Sequence, residues 1–203
     1  MIKATAVILA GGASKRMNGQ DKAYAIYNGK PLIEHALNSV KNFSEVIITS
    51  SRYNYESHVD WLHTSEYDHV NVIVDHEGEK GPVGGIYTGI RHAQYKNVVV
   101  VSVDTPLVNI NFFKYLLNEL NGYDVVVPKS EGVLQPLCAV YSKSIESVFN
   151  TALEKGHLKI IRLLEELRVK EVDEEIWLKQ GFKKNMFLNI NTYENLRQLN
   201  ETT

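Results

Sequence analysis

Gly11-Gly12 is followed within ten positions by Lys15, Arg16 and Lys22. A glycine pair at the end of an apolar run exposes backbone N–H groups that no helix or ladder claims. Without a Cβ in the way, an anion can approach that backbone closely. Lys15, Arg16 and Lys22 supply the positive charge a polyphosphate needs, and the planar fork of Arg16 suits bidentate phosphate contact. Lys15 reads as its solvated neighbour. Read as Gly-Gly alone, the stretch is a turn leading into a solvated basic loop. The placement of the basic residues favours the anion site. Two further carboxylates stand where apolar runs end: Asp75 after Val72-Ile73-Val74, and Asp104 after Val98 to Val103. A carboxylate at such a mouth can hold a hard cation such as Mg²⁺ through oxygen and bridge it to phosphate. In isolation either aspartate is also an ordinary turn residue. Gly81-Pro82-Val83-Gly84-Gly85-Ile86 adds glycines at the start of a helical pattern, a terminus with free N–H groups and partial positive charge.

Two common phosphate loops are excluded. A dinucleotide fingerprint needs G-x-G-x-x-G, which Gly11-Gly12-Ala13-Ser14 does not provide. A P-loop needs G-x-x-x-x-G-K-[ST]. At Gly29-Lys30 the next residue is Pro31, and Tyr24 stands where the first glycine should be. Cys138 sits among Leu137, Ala139 and Val140 and reads as a core thiol rather than a nucleophile.

These residues need strands and helices to bring them together. Ala6 to Ala10 reads as a buried strand, and Pro31 opens a helix with Leu32, Ile33, Ala36, Leu37 and Val40 on one side. Val46 to Ser50 is a strand, Tyr53 to His63 a helix, and Val70 to Val74 a strand. Val83, Ile86, Tyr87 and Ile90 form a helical stripe, and Val98 to Val103 is a strand buried on both faces. Phe112 to Leu120 is a helix and Val125 to Val127 a strand. Further on, Leu137 to Tyr141, Val169 to Val172 and Phe187 to Ile190 read as strands. Ser144 to Leu153, Ile160 to Leu167 and Tyr193 to Leu199 read as helices, the last with Thr192 as N-cap. The alternation implies a three-layer, Rossmann-like α/β fold with a mostly parallel sheet. Ligands of such sheets bind at the carboxyl ends of the strands. The glycine loop, Asp75 and Asp104 all fall on that edge. The carboxyl-terminal part is expected as a lobe beside the sheet.

The chain of 203 residues has a net charge of -2, so no global field favours nucleic acid. One cysteine and seven scattered histidines exclude an intrachain disulfide and the common zinc motifs. No apolar stretch approaches a membrane span, and Val7 to Ala10 is too short for a secretory signal, so a cytoplasmic protein is expected.

Leu9-Ala10-Gly11-Gly12, Ser14, Arg16-Met17, Gly19 and Asp21-Lys22 together resemble the L-A-G-G-x-S-x-R-M signature of nucleotidyltransferases, and more narrowly the MobA-like molybdenum cofactor guanylyltransferases. Gly81-Pro82 to Gly85-Ile86 resembles that family's G-P-x-x-G-I segment. Asn189-Ile190-Asn191-Thr192 resembles its N-x-N-T-P, with Tyr193 in place of the proline. The resemblance implies a nucleotide-diphospho-sugar transferase type of fold in a single domain, 1–203. Residues up to about 128 would bind the nucleotide and those from about 129 the acceptor. It implies GMP transfer from GTP to the terminal phosphate of molybdopterin cofactor, with Mg²⁺ held by Asp104. Arg16, Lys22 and Asp104 would be catalytic. Leu9, Ala10, Gly11, Gly12, Lys22, Asp75, Gly81, Gly85 and Asp104 would bind nucleotide, and Asn189 and Asn191 the acceptor's pterin. Asp75 could accept the adjacent N1–H and N2–H of guanine, or contact the ribose. The resemblance allows for transient contact with other molybdenum cofactor biosynthesis proteins or molybdoenzymes, and implies neither nucleic acid nor membrane as partner. The alternatives are CTP transfer to molybdopterin or nucleotidyl transfer to a sugar phosphate on the same scaffold, or a nucleotide-binding module without turnover.

Overall fold

A computed structural model describes residues 1–11, 21–67, 69–75, 80–191 and 195–197. Strand β1 (Ile2–Leu9) lies at the centre, where its apolar run is buried from both sides. A two-residue hairpin, β2 (Ile26–Tyr27) with β3 (Lys30–Pro31), leads into helix α1 (Leu32–Val40), for which Pro31 is the N-cap. Then come β4 (Phe43–Ser50), α2 (Tyr55–His63), β5 (Asn71–Val74), α3 (Gly81–His92) and β6 (Asn97–Ser102). Helix α4 (Ile110–Asn118), with Asn109 capping its amino end, precedes β7 (Val125–Ser130), β8 (Val133–Leu134) and β9 (Cys138–Ser142). Helices α5 (Glu146–Glu154) and α6 (Ile160–Leu164), strand β10 (Val169–Val172) and helix α7 (Glu174–Lys179) follow.

The strand order is β10-β7-β9-β6-β1-β4-β5, with β8 paired to β7. Strand β1 pairs in parallel with both β4 and β6, Val7 lying opposite Ile47 on one side and Val100 on the other. The chain therefore leaves β1 toward β4 and β5, then crosses back to β6 on the opposite flank. Their carboxyl ends flank the topological switch point, where an open α/β sheet has a crevice. Alternation sorts the side chains into two cores. Ala6, Ile8, Val99 and Val101 pack with Ile33 and Leu37 of α1, with Phe112 and Phe113 of α4, and with Trp177 of α7. Val7, Val98 and Val100 pack with Val83, Ile86 and Ile90 of α3 and Phe149 of α5.

The last third corrects the expected lobe. Strand β9 inserts antiparallel between β6 and β7, and β10 extends the same sheet in parallel beyond β7. No strand forms over Phe187 to Ile190. Lys184–Phe187 is a 3₁₀ turn, and Met186, Phe187 and Ile190 are buried while Leu188 and Asn189 are exposed, a spacing that does not alternate. Residues 195–197 are helical; Thr192, Tyr193 and the rest of the expected terminal helix lie outside the described residues.

Helix α3 approaches the sheet more closely than a side chain allows. A Cβ at Gly89 would lie 2.4 Å from Cγ1 and 2.7 Å from Cγ2 of Val7, itself fully buried and stiff at χ1. Gly89→Ala should therefore destabilise the fold by about 2 kcal/mol despite alanine's better helix propensity, through overpacking against β1. A thermal melt checks this; an unchanged or raised Tm contradicts the tight α3–β1 contact.

Candidate active site

Lys22 opens a 3₁₀ turn, Lys22–Tyr24, whose N-cap is Asp21; the Asp21 carboxylate accepts from the N–H of Ala23 at 3.0 Å. From that turn the Lys22 ammonium reaches Oδ2 of Asp104 at 2.8 Å, across 82 residues of sequence. The two side chains are 18% and 22% exposed, deep enough to weaken screening yet open to a ligand. A second acceptor meets the same ammonium: Asn191 Oδ1 lies 2.9 Å from Lys22 Nζ. The segment carrying Asn191 is brought there by the backbone, since the N–H of Ile190 donates to the carbonyl of Asp104 at 2.9 Å. Residues 22, 104 and 191 thus converge at the carboxyl mouth of β1 and β6.

Asp75 lies farther along the same edge, beyond β5. Its N–H donates to the carbonyl of Ser50 at 2.7 Å. Its carboxylate is nearly buried and accepts the Thr88 hydroxyl at 3.0 Å. Gly85 of α3 faces the same spot: a Cβ there would stand 3.2 Å from Leu9 Cδ2, 3.4 Å from Thr49 Oγ1 and 3.8 Å from Asp75 Oδ2. Gly11 is similarly tight against the backbone of Ser50 and Ser51; a Cβ at this position would lie 3.3 Å from the Ser51 nitrogen. Gly81 begins α3 with φ of 64°, a left-handed conformation that favours glycine.

The chain matches known proteins over nearly its whole length. The MobA-like NTP transferase domain matches residues 6–171. The chain belongs to this family. A protein of Clostridium perfringens (strain 13 / Type A) named "Probable molybdenum cofactor guanylyltransferase" is 33% identical over 201 residues, covering 98% of this chain and 97% of that one. The crystal structure of molybdopterin-guanine dinucleotide biosynthesis protein A from Archaeoglobus fulgidus superposes with a TM-score of 0.81 at 28% identity, covering 98% of this chain and 97% of that chain. The 4-diphosphocytidyl-2C-methyl-D-erythritol synthase of Anaerococcus prevotii, at 16% identity and a TM-score of 0.76 over 99% of this chain and 96% of that one, shares the fold. The sheet and its flanking helices are of the nucleotide-diphospho-sugar transferase type.

In this MobA-like chain the structure brings Lys22, Asp104 and Asn191 into direct contact, and Leu9, Gly11, Asp75 and Gly85 along the adjoining edge. Ala10 is buried, its N–H donating to the carbonyl of Thr49 at 3.0 Å. Asn189 is exposed one residue before the buried Ile190. Gly12, Ser14, Lys15, Arg16, Met17 and Gly19 lie outside the described residues. Cys138 is buried beside the Thr105 hydroxyl at 3.2 Å, and burial pushes its thiol up to about 12, which leaves it inert as a nucleophile. Sequence reasoning missed Thr88, although Gly81, Gly85 and Thr88 fall on one face of a helix at i, i+4 and i+7.

Among the described residues no group of three or more His, Cys, Asp or Glu side chains could enclose a metal ion. One partly exposed carboxylate, Asp104, fits Mg²⁺ all the same. That ion keeps waters and is commonly held by one or two carboxylates together with substrate phosphates, not by an all-protein cage. No helix among the described residues is long and apolar enough to cross a membrane.

Proposed function

We propose that this protein transfers GMP from GTP to the terminal phosphate of molybdopterin cofactor, forming molybdopterin guanine dinucleotide and releasing pyrophosphate. The observation that carries the reading is the Lys22 ammonium held between Asp104 and Asn191 at the switch point of the sheet. One contact comes from the nucleotide side and the other from the carboxyl-terminal segment proposed to bind the acceptor. Both substrates would therefore meet at one cation.

The chemistry follows from charge. An oxygen of the acceptor phosphate bonds to the α-phosphorus as the bond from that phosphorus to the β-phosphate oxygen breaks, and pyrophosphate carries the electrons away. The attacking phosphate is already ionised at neutral pH, so no strong base is required. Catalysis rests on alignment and on neutralising the departing charge. Lys22 does the second directly, and Arg16 is proposed to add a bidentate contact. Mg²⁺ held through Asp104 and phosphate oxygens would supply further neutralisation. Asn189 and Asn191 are proposed to bind the pterin. Asn191 can donate from its amide nitrogen while its oxygen meets Lys22, which links acceptor binding to the position of the ammonium. A binding module without turnover has no use for a leaving-group lysine paired to a metal-type carboxylate.

The test is to incubate the protein with Mg²⁺, molybdopterin cofactor and each of the four NTPs in turn, and to measure pyrophosphate. Release with GTP is expected. A preference for CTP, or release only with a sugar phosphate as acceptor, moves the protein to the neighbouring activities; binding without release overturns transfer altogether. Asp75 is proposed to accept from the guanine edge. Adenine offers an N1 lone pair there, which a carboxylate repels. Asp75→Ala should then reduce the GTP-over-ATP preference by roughly tenfold, the worth of one charge-assisted hydrogen bond. Because Thr88 donates to the same carboxylate, Thr88→Val is the control for local repacking. An unchanged ratio in Asp75→Ala returns Asp75 to the ribose or to a structural role.

A further inference from the structure

His58, on α2, is completely buried and belongs to no catalytic feature described above. Its Nε2 lies 2.9 Å from Oδ2 of Asp21, off the straight hydrogen-bond line. Both atoms are buried, and neither has a hydrogen-bond partner among the described residues, so each is the other's nearest polar contact. On the other side of the ring, Nδ1 lies 2.8 Å from the Ser50 hydroxyl at the carboxyl end of β4. The ring is therefore wedged between a rigid strand end and a carboxylate. That carboxylate does one further thing: its other oxygen, Oδ1, caps the turn that begins with Lys22. Helix α2 grips the same turn a second time, since the Tyr24 hydroxyl donates to the carbonyl of Ser57 at 2.7 Å and the Tyr24 ring packs 5.7 Å from the His58 ring. Two adjacent residues of α2 thus hold both ends of a three-residue turn. Its remaining polar side chain, Lys22, projects to Asp104 and Asn191.

We infer that His58 is a positioning residue for the polyphosphate site: through Asp21 it fixes the turn that aims the Lys22 ammonium. A lysine has four rotatable side-chain bonds, so its charge is effective only where the backbone that bears it is fixed. Buried imidazole and carboxylate atoms that have only each other within reach are costly to separate, and here the cost falls on the geometry of Lys22. Ser50 extends the connection. Its carbonyl accepts the N–H of Asp75, so one strand end anchors both the phosphate-side lysine and the base-side carboxylate. The inference deepens the nucleotidyl-transfer reading and rests on it for Lys22's role.

The test uses inorganic pyrophosphate, the proposed leaving group, titrated calorimetrically into the whole protein with Mg²⁺, so neither the acceptor nor turnover is needed. Lys22→Ala should weaken pyrophosphate binding about tenfold. His58→Leu, which fills the space and removes both polar contacts, should weaken it by a comparable factor. The double variant should bind no more weakly than Lys22→Ala alone, because the two residues act through one ammonium. His58→Gln, with an amide donor for Asp21 and an oxygen for Ser50, should restore most of the affinity. Asp21→Asn attacks the same contact from its more exposed side and gives a second reading if His58→Leu does not fold. Folded His58→Leu or Asp21→Asn with wild-type affinity overturns the inference, and so do losses that multiply in the double variant. Wild-type protein that binds no pyrophosphate overturns it together with the polyphosphate site. Binding that follows the expected pattern, without pyrophosphate release from any NTP, overturns nucleotidyl transfer alone.

Discussion

Asp104→Asn should give a folded protein whose pyrophosphate release falls by about three orders of magnitude, the scale lost when a preorganised charge at a transferring phosphate is removed. The side chain is nearly isosteric, and the structural duty of the residue lies in its backbone, whose carbonyl accepts from Ile190. The sheet and the approach of the 189–191 segment should therefore persist. Two things are lost at once. The ammonium of Lys22 exchanges an anion at 2.8 Å for a neutral amide, and the strand mouth loses the carboxylate proposed to hold Mg²⁺. The check is pyrophosphate release at saturating GTP, acceptor and Mg²⁺, with a thermal melt on the same sample. A wild-type melt with activity within about twofold of wild type would remove Asp104 from the reaction.

The central fold and that carboxylate were legible for the same reason. Val98 to Val101 is buried on both faces, and a run of that kind must end where the chain meets water, so Asp104 could only stand at a strand mouth. Strand β1 was legible likewise, and Lys22 and Asp104 could be expected on one edge though nothing in their spacing puts them at 2.8 Å. The insertion of β9 was not legible, because Cys138 to Tyr141 is uniformly buried and an apolar run carries no direction. Helix α7 leaves little trace in the sequence because only Trp177 of its six residues is buried, while Ile176 and Leu178 face outward and blur any stripe. Near the carboxyl terminus, Phe187 to Ile190, apolar at three of its four positions, reads as a strand, but burial of Met186, Phe187 and Ile190 follows a turn. The contacts of Asn191 with Lys22 and of His58 with Asp21 join residues with no shared pattern. They exist only because the 189–191 backbone bonds to Asp104 and because α2 packs over the 22–24 turn.

Lys22→Ala is expected to lower kcat by about a hundredfold or more while the apparent affinity for GTP changes far less. The difference arises from where the charge sits. In the ground state the triphosphate's charge is spread over three phosphates, and any cation nearby recovers part of the binding. As the α–β bond breaks, charge gathers on the pyrophosphate, and the benefit of a fixed ammonium grows. The structure supports this division, because Lys22 is held in place by the protein's own groups, Asp104 at 2.8 Å and Asn191 at 2.9 Å. Little reorganisation is then required during the reaction, which is where preorganised charge gains over solvent. The contact with Asn191 adds a second consequence. Removing the lysine side chain takes away a partner of Asn191, the asparagine proposed to bind the acceptor, so the apparent affinity for molybdopterin should weaken modestly as well, by the scale of one hydrogen bond at about 1 kcal/mol. Steady-state kinetics with each substrate varied in turn separate these effects. A large rise in KM for GTP with kcat preserved would make Lys22 a ground-state anchor, and an unchanged acceptor affinity would show that Asn191 meets the ammonium without depending on it.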